Sequence, residues 1–397
     1  MIKKILLFAW MLTVFAACSD KDDDKEPEVF NRTVLVYISG ENSLNSFIND
    51  ELRQLQMGSK GIGSNALLIY VDAAKTSELP YIARIKEGKA VDSVALFKDD
   101  VISSDPEVMG TVLQYASNHY PAKDYGLVLW GHASGWLMED SIPYTEARRA
   151  YGIDNGANSG NDHGKWINMG TLAKVIGNWG HPLRFIMADC CQFQCIESAY
   201  ELRNVTNYII GSPAEIPGEG APYHTMTKEL FGTSEDFYLG IVDAYYAQTA
   251  DGYRVPLSVI ATDRLEQLAW ATGNALADLG WTADNCPNLY GRIHYRGKGG
   301  NEIMYDMNDI MKHYLPEEDY KEWHTAFDSV VVHKTFAKKW MTNGQMDFSS
   351  FQMAEDTYGG VSMFVPQRRP GTQYTKYNQD IRKTAWYWAA RLNELGW

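Results

Sequence analysis

The sequence predicts an α/β fold in which a mostly parallel sheet is flanked by helices, and three observations carry that prediction. Short continuous apolar runs recur along the chain, helix-length segments separate them, and a share of 45% apolar to 22% charged residues over 397 positions is that of a globular protein with material for a large core. The runs are Val34 to Ser39, Ala66 to Val71, Gly126 to Trp130 and Phe185 to Ala188, with a shorter one at Tyr208 to Gly211. Runs without polar alternation suit strands covered on both faces, the condition of a parallel sheet. Ser43 to Met57, Asp105 to His119 and Asn168 to Trp179 read as helices between them, so right-handed crossovers are expected. Leu257 to Ala261 and Gly360 to Val365 read as further strands, and Thr375 to Leu395 as an amphipathic helix. No internal repeat or low-complexity block interrupts residues 32–397.

Residues 1–17 read as an address rather than as part of the fold. Lys3 and Lys4 precede an apolar stretch from Ile5 to Ala17, the length of a signal-peptide core and too short for a spanning helix. It ends Phe15-Ala16-Ala17-Cys18, which resembles a bacterial lipobox, although Leu is commoner at the place of Phe15. The resemblance implies lipid attachment at Cys18 and hence a membrane as a partner; an ordinary signal peptide before a chance cysteine is the plainer alternative. Residues 18–31 form an acidic tether, since like charges repel and core-forming side chains are scarce. Acidic residues just after such a cysteine look like the export signal of surface lipoproteins in Bacteroidetes. That implies an outer-membrane lipoprotein exposed at the cell surface, with a periplasm-facing or secreted protein as the alternative.

The charge balance excludes a partner class. With 36 basic against 50 acidic side chains, the formal charge is −14, and a nucleic-acid groove would need clustered Lys and Arg. Five cysteines in this length make no disulfide framework.

In open α/β sheets chemistry gathers at the carboxyl ends of strands. Two predicted strand ends carry reactive residues: Trp130-Gly131-His132-Ala133-Ser134-Gly135-Trp136, and Asp189-Cys190-Cys191 before an expected helix from Gln192 to Arg203. A thiol at a helix start would feel the positive field of unpaired N–H groups, and a nearby imidazole would add to it, both favouring the thiolate. The residue pattern therefore leaves two readings open, a Cys–His catalytic pair or a structural histidine beside a small buried cysteine.

The two motifs together resemble those of clostripain-like cysteine peptidases, whose segments run Trp-x-His-Gly-x-Gly-Trp and Asp-Ala-Cys-Leu-Met-x-x-x-Glu. Aligning Glu197 with the family Glu places Cys191 in the nucleophile slot and Cys190 in the Ala slot. Ser212 through Tyr223 resembles the following Gly- and Pro-containing loop, and Gly360 to Pro366 a late strand motif. The departures are Ala133 for Gly, and Gln192-Phe193 for Leu-Met. The resemblance is good from Arg32 to Tyr223 and loose beyond. It implies a caspase-like fold over residues 32–397, with a core at about 32–265 and a helical or mixed extension at about 266–397.

The resemblance also implies endopeptidase activity on proteins and peptides with Arg or Lys before the cut. Cys191 would be the nucleophile and His132 its proton partner, with backbone N–H groups of Ala133 and Cys191 holding the oxyanion. Asp189 matches the family's pocket acid, with Glu219 as a second acidic candidate and Ser212 as a wall; the plainer reading of Asp189 is a helix cap. Such enzymes resemble one another in cutting themselves between the His and the Cys, which singles out Arg148, Arg149 and Lys165.

No cofactor is expected. The oxygen-rich stretch Asp154, Asn155, Asn158, Asn161, Asp162 would suit calcium, which some clostripain-like enzymes use, but reads first as an ordinary turn. Cys191 and Cys195, one helical turn apart, lack the second pair that zinc needs. A noncatalytic surface lipoprotein binding glycan or peptide through its many aromatics is the competing function. A serine hydrolase using Ser134 lacks the Gly-x-Ser-x-Gly elbow.

Overall fold

The computed structural model describes residues 28–74, 78–138, 150–156, 164–248, 255–282, 284–296, 302–337, 339–341, 354–366 and 372–397. The expected signal peptide and Cys18 lie outside them. Strand β1 (Phe30–Gly40) leads through helix α1 (Ile48–Gly58) to β2 (Ala66–Ala73), and the hairpin of β3 (Tyr81–Lys86) and β4 (Lys89–Ala95) precedes α2 (Pro106–His119). Next come β5 (Ala122–Trp130), the pair β6 (Tyr151–Asp154) and β7 (Lys165–Ile167), α3 (Met169–Trp179), β8 (Leu183–Asp189), α4 (Ile196–Leu202) and β9 (Thr206–Gly211). After these follow α5 (Tyr223–Met226), α6 (Tyr238–Gln248), β10 (Ser258–Ala261), α7 (Leu265–Leu279), β11 (His294–Arg296) and β12 (Met304–Asp306). The last elements are α8 (Met307–Tyr314), α9 (Glu317–Val330), β13 (Val331–Lys334), β14 (Ser362–Met363), α10 (Thr372–Asp380) and α11 (Ala385–Ala389).

The central sheet has the order β13-β10-β9-β8-β5-β1-β2-β3-β4. The five strands from β9 to β2 are parallel, as the apolar runs predict. Both faces are covered. Leu35, Tyr37, Leu127 and Ile186 join one core cluster with α2 and α3, while Val34, Val36, Val128 and Met187 join the other with α1 and α6. This alternation explains why the strand sequences show no polar positions. The chain steps from β1 outward to β2, then returns to build β5, β8 and β9 on the other side. That reversal beside β1 leaves a crevice at the carboxyl ends of the strands, where a ligand has room.

Several expectations need correction. The hairpin β3–β4 was not read from the sequence, because its outer strand is largely exposed and mixes polarity. Residues 360–365 do not enter the central sheet; Ser362–Met363 pairs with β12 in a separate sheet ordered β11-β12-β14. The single C-terminal helix over 375–395 is broken. The Thr384 backbone is extended and its side chain caps α11 by accepting from Tyr387 N, a local bond that competes with helix continuation. The expected helix from Gln192 begins only at Ile196, with Cys195 as its N-cap residue. Within residues 266–397, read from the sequence as a helical or mixed extension, β13 forms the edge of the central sheet by pairing antiparallel with β10. Among the described residues no helix is long and apolar enough to cross a membrane.

The start of the domain is locked by Arg32. Its guanidinium donates to both Asp124 carboxylate oxygens, at 2.5 and 3.1 Å, and to the carbonyls of Leu230 and Gly232 at 2.9 Å, while lying over the Phe185 and Phe237 rings. Removing the cation strands a carboxylate and two carbonyls together. Arg32→Met should cost about 2–4 kcal/mol, read as a lower denaturation midpoint in urea; an unchanged midpoint would show that solvent replaces these bonds without loss.

Candidate active site

The strand pleat sorts the residues at the end of β8. Side chains alternate faces along an extended segment, and the alternation continues past Asp189. Cys190 therefore enters the core on the α2–α3 side, and Cys191 lies against the α1–α6 side. Asp189 and Cys191, two residues apart, share that second face. Gly131 makes the turn out of β5 at φ +146, where an added Cβ would meet the Ser39 carbonyl at 3.1 Å, and so delivers His132 to the same place. His132, Cys191 and Asp189 all line one cavity of about 60 Å³, together with Leu44, Trp130, Ile216, Pro217, Gly218 and Gly220.

His132 is half-buried, and its Nε2 lies 2.8 Å from the Ser43 Oγ at the start of the α1 connection. Its carbonyl accepts from Gly152 N at 2.8 Å, and Ser134 N donates to the Ala150 carbonyl at 3.0 Å. These bonds bracket Ala133 in an antiparallel bridge to Tyr151, in which its own N–H points away from the partner strand.

Cys191 does not sit at a helix N-terminus, so the expected helix field on the thiol is absent. It lies in a turn five residues before α4, and its Sγ accepts from Ile216 N at 3.3 Å. Burial pushes the thiol up to about 12. The Ile216 N–H and Arg296 pull against that shift, while Glu215 and Asp189 add to it. The substrate-free site thus holds a protonated thiol. The next residue, Gln192, adopts a left-handed φ of +56, and its side chain is buried between Arg296 and Glu215. The polarity that Gln192 brings beside Cys191 is spent on these two partners, and Phe193 is buried in the core.

Asp189 is not a helix cap. Its carboxylate accepts from Ala221 N at 2.9 Å, Tyr223 Oη at 2.8 Å and Tyr245 Oη at 3.3 Å. Burial raises it to about 6 against the pull of these donors, so it is ionised at neutral pH. A second acid went unrecognised in the sequence. Glu51 of α1 is buried, and a Cβ on Gly220 would lie 2.9 Å from Asp189 Oδ2 and 3.0 Å from Glu51 Oε1. Burial, then Asp189, Asp50 and Glu219, raises Glu51 to about 9, so the pair carries one negative charge at neutral pH. A signal existed: Glu51 falls on the buried stripe Ile48, Glu51, Leu55, Gly58 of α1.

Other candidates divide. Glu219 is exposed in the loop beside the cavity. Ser212 is fully buried and outside the cavity lining; its Oγ accepts from Ala214 N and its carbonyl from Gln194 N, so it shapes the turn rather than a wall. Ser134 is buried and likewise outside the lining. Cys195 faces Ser198 in the core, and among the described residues the one group able to hold a metal contains no cysteine. Lys165 is exposed at the start of β7, whereas Arg148 and Arg149 lie outside the described residues, as do Asn158, Asn161 and Asp162.

The family model described as the clostripain family matches residues 36–395. Among solved structures, a secreted C11 cysteine protease from Bacteroides thetaiotaomicron in complex with an irreversible peptide inhibitor is 28% identical, with a TM-score of 0.74 over 92% of this chain and 99% of its own. An inactive zymogen C11 protease from Parabacteroides distasonis is 26% identical, with a TM-score of 0.75 over 92% and 99%. Iotapain, another secreted C11 cysteine protease from Bacteroides thetaiotaomicron, shares the fold at 21% identity, with a TM-score of 0.74 over 92% and 100%. No curated protein matches the chain. The helix-flanked, mostly parallel sheet is the caspase-like arrangement of these proteases.

Two outcomes follow from the protonation states. Alkylation of Cys191 by iodoacetamide in the substrate-free protein should accelerate about tenfold per pH unit from pH 6 to 9, followed by peptide mass spectrometry; a plateau near neutrality would mean that a thiolate is already formed. Glu51 ionises near 4.5 when unfolded and near 9 when folded. Unfolding then releases a proton across that window, and stability falls as pH rises through it. Glu51→Gln removes the slope, so its melting temperature should exceed the wild type's by more at pH 8 than at pH 5; equal differences would place Glu51 in water.

Proposed function

The chain belongs to the clostripain family and is a cysteine peptidase, and from that premise we propose an endopeptidase that cleaves after Arg or Lys through a Cys191–His132 dyad. The observation that carries this reading is the shared cavity, which Asp189 and Cys191, set on one face by the pleat of the β8 end, line together with His132. The Cys191 thiol, raised by burial, gives its proton to the His132 imidazole as the sulfur attacks the scissile carbonyl. His132 then protonates the leaving amine, leaving a thioester that water hydrolyses with His132 taking the water's proton. The N–H groups of Ala133 and Cys191 hold the oxyanion, a role that needs only backbone and tolerates Ala133 in place of glycine. Asp189 receives the guanidinium or ammonium of the residue before the cut. Glu51, beside it, adds negative charge once a substrate cation lowers its proton affinity.

Self-processing extends the reading. The segment between β5 and β6 carries Arg148 and Arg149, acceptable to an acidic pocket, whereas Lys165 is already committed to a strand. The zymogen form named for the Parabacteroides distasonis protease supports a processing step. Attachment to the outer membrane through Cys18 would place the site at the cell surface, where protein substrates are met.

The decisive comparison uses fluorogenic peptides ending in Arg, Lys, Asp or Ala. Cys191→Ala and His132→Ala should each abolish most turnover, while Cys190→Ala keeps it; the reverse pattern for the two cysteines would shift the nucleophile by one residue. Asp189→Asn should lose about 30- to several-thousand-fold on Arg and Lys substrates, the equivalent of about 2–5 kcal/mol for an unpaired buried cation. An unaltered preference would move the specificity pocket elsewhere. By intact mass, active wild type should be two fragments cut after Arg148 or Arg149 and Cys191→Ala a single chain; active but uncut wild type would exclude obligatory self-cleavage.

A further inference from the structure

A groove in the C-terminal part of the chain shares no lining residue with the cavity of Cys191. It runs between α7, α9 and the turn that follows α11, and its volume is about 340 Å³ against about 60 Å³ for that cavity. Helical spacing builds two of its sides. Trp270, Asn274 and Asp278 recur at every fourth position of α7 and so share one face, while on α9 Asp319 precedes Glu322 and Trp323 by one turn. Trp323 is buried and ties the two helices together, its Nε1 donating to Thr272 Oγ1 at 3.0 Å. Gly273 lets the third side approach, since an added Cβ there would collide with the Ala390 carbonyl. The next residue, Arg391, adopts a left-handed φ of +54, donates to Asn274 Oδ1 and lies 6.0 Å from the Trp270 ring centre.

Packing accounts for the shape of the groove but not for the chemistry it presents. Trp270 is 59% exposed within its wall. Asp278, Asp319, Glu322 and Glu394 are exposed around the same concavity. Among the described residues none of these carboxylates joins an ion pair or accepts a hydrogen bond. The lining holds one cation, Arg391, whose guanidinium is already given to Asn274. Like charges one helical turn apart repel, and no base is interleaved here to offset them. Among the described residues the one group close enough to hold a metal ion lies elsewhere, so these carboxylates are strung around the groove and do not converge on a point.

We propose that this groove binds a polypeptide segment carrying clustered Lys or Arg side chains, as a second contact with substrates apart from the cleavage site. Separate carboxylates suit separate cations spaced along a chain. The exposed indole adds a cation–π contact and packs the aliphatic stem of a Lys or Arg. A nucleic acid or other polyanion is repelled by the same surplus of charge, and a neutral sugar would use the indole but leave the carboxylates without a counter-charge. The formal charge of −14 on the whole chain also draws a basic segment from a distance. Such a contact prolongs the stay of a substrate without touching the reacting atoms, and it does not depend on which residue Asp189 accepts.

The test uses the full chain carrying Cys191→Ala, so that nothing is cut, and a fluorescein-labelled peptide of alternating lysine and serine, read by anisotropy. The peptide should bind saturably at one per chain and lose about tenfold in affinity between about 20 and 200 mM NaCl, while the same peptide with acetylated lysines should not bind. Trp270→Ala should weaken binding about threefold or more. Asp319→Asn combined with Glu322→Gln, both exposed positions, should weaken it about fivefold and flatten its salt dependence. With Cys191 restored, both sets of changes should raise KM more for a protein substrate with a lysine-rich tail than for the same substrate without it. No saturable binding overturns the proposal, as does undiminished affinity in the groove variants. Binding lost through an added Asp189→Asn, with the groove variants unaffected, would put the peptide in the cleavage pocket and overturn it as well. Tighter binding of a neutral oligosaccharide than of the lysine peptide, weakened by Trp270→Ala, would make the groove a sugar site instead. Equal KM effects with and without the tail would overturn the role in substrate contact.

Discussion

The segment from Cys190 to Gln194 leaves β8 without helix or strand of its own, and its buried backbone must still be paired. The surroundings of Cys191 depend on how that requirement is met. Gln192 N and Gln194 N donate to the carbonyls of Ala214 and Ser212, which seats the loop that carries Ile216 and Gly220. The Gln194 carbonyl accepts from Ser362 N, and Glu197 Oε1 accepts from Phe364 N at 2.7 Å. The Gln194 side chain reaches the carbonyls of Ile209 and Ser258. One short stretch therefore ties Cys191 to β9, to β10 and to the late strand β14. The C-terminal residues are part of the machinery because they complete these bonds, and Arg296 adds a side-chain contact to Gln192.

Around this clamp the protein concentrates carboxylates. Asp189 and Glu51 share one side of the crevice, and Glu41, Asp72 and Asp154 lie behind it. Burial raises all of those for which a shift is resolved, Glu51 to about 9 and Asp72 to about 10, so much of the crowding is neutralised by protons. The consequence is a site that is costly to keep empty and gains from a positive partner.

The protonated thiol fits this setting. Asp189 and Glu215 both oppose a negative sulfur, and only Arg296 and the Ile216 N–H favour it. On the proposed reading, a substrate cation docking on Asp189 would remove one of the two opposing charges, so that occupying the pocket and activating the thiol would be linked. The alternative of a noncatalytic binder is superseded by membership in a peptidase family.

The parallel strands were legible because covering both faces leaves a continuous apolar run, a signal local to the sequence. So were Cys191 and His132 as strand-end residues, since their flanking runs announce where β5 and β8 stop. Period-two alternation beyond Asp189 was implicit in the same stretch. What the sequence could not hold was anything decided by partners far away. The helix expected at Gln192 gives way to a turn because Ala214, Ser212 and Ser362 satisfy its backbone instead. The helix expected over 375–395 breaks at Thr384, where a side-chain cap and the burial of Trp386 and Trp397 outweigh helical periodicity. Burial of Glu51 was implicit in the stripe of α1, but its approach to Asp189, and the meeting of Glu41, Asp72 and Asp154, became visible only in the folded chain. Local patterning records how each segment meets solvent and core; charges converging from separate strands are set by topology, which no single stretch encodes.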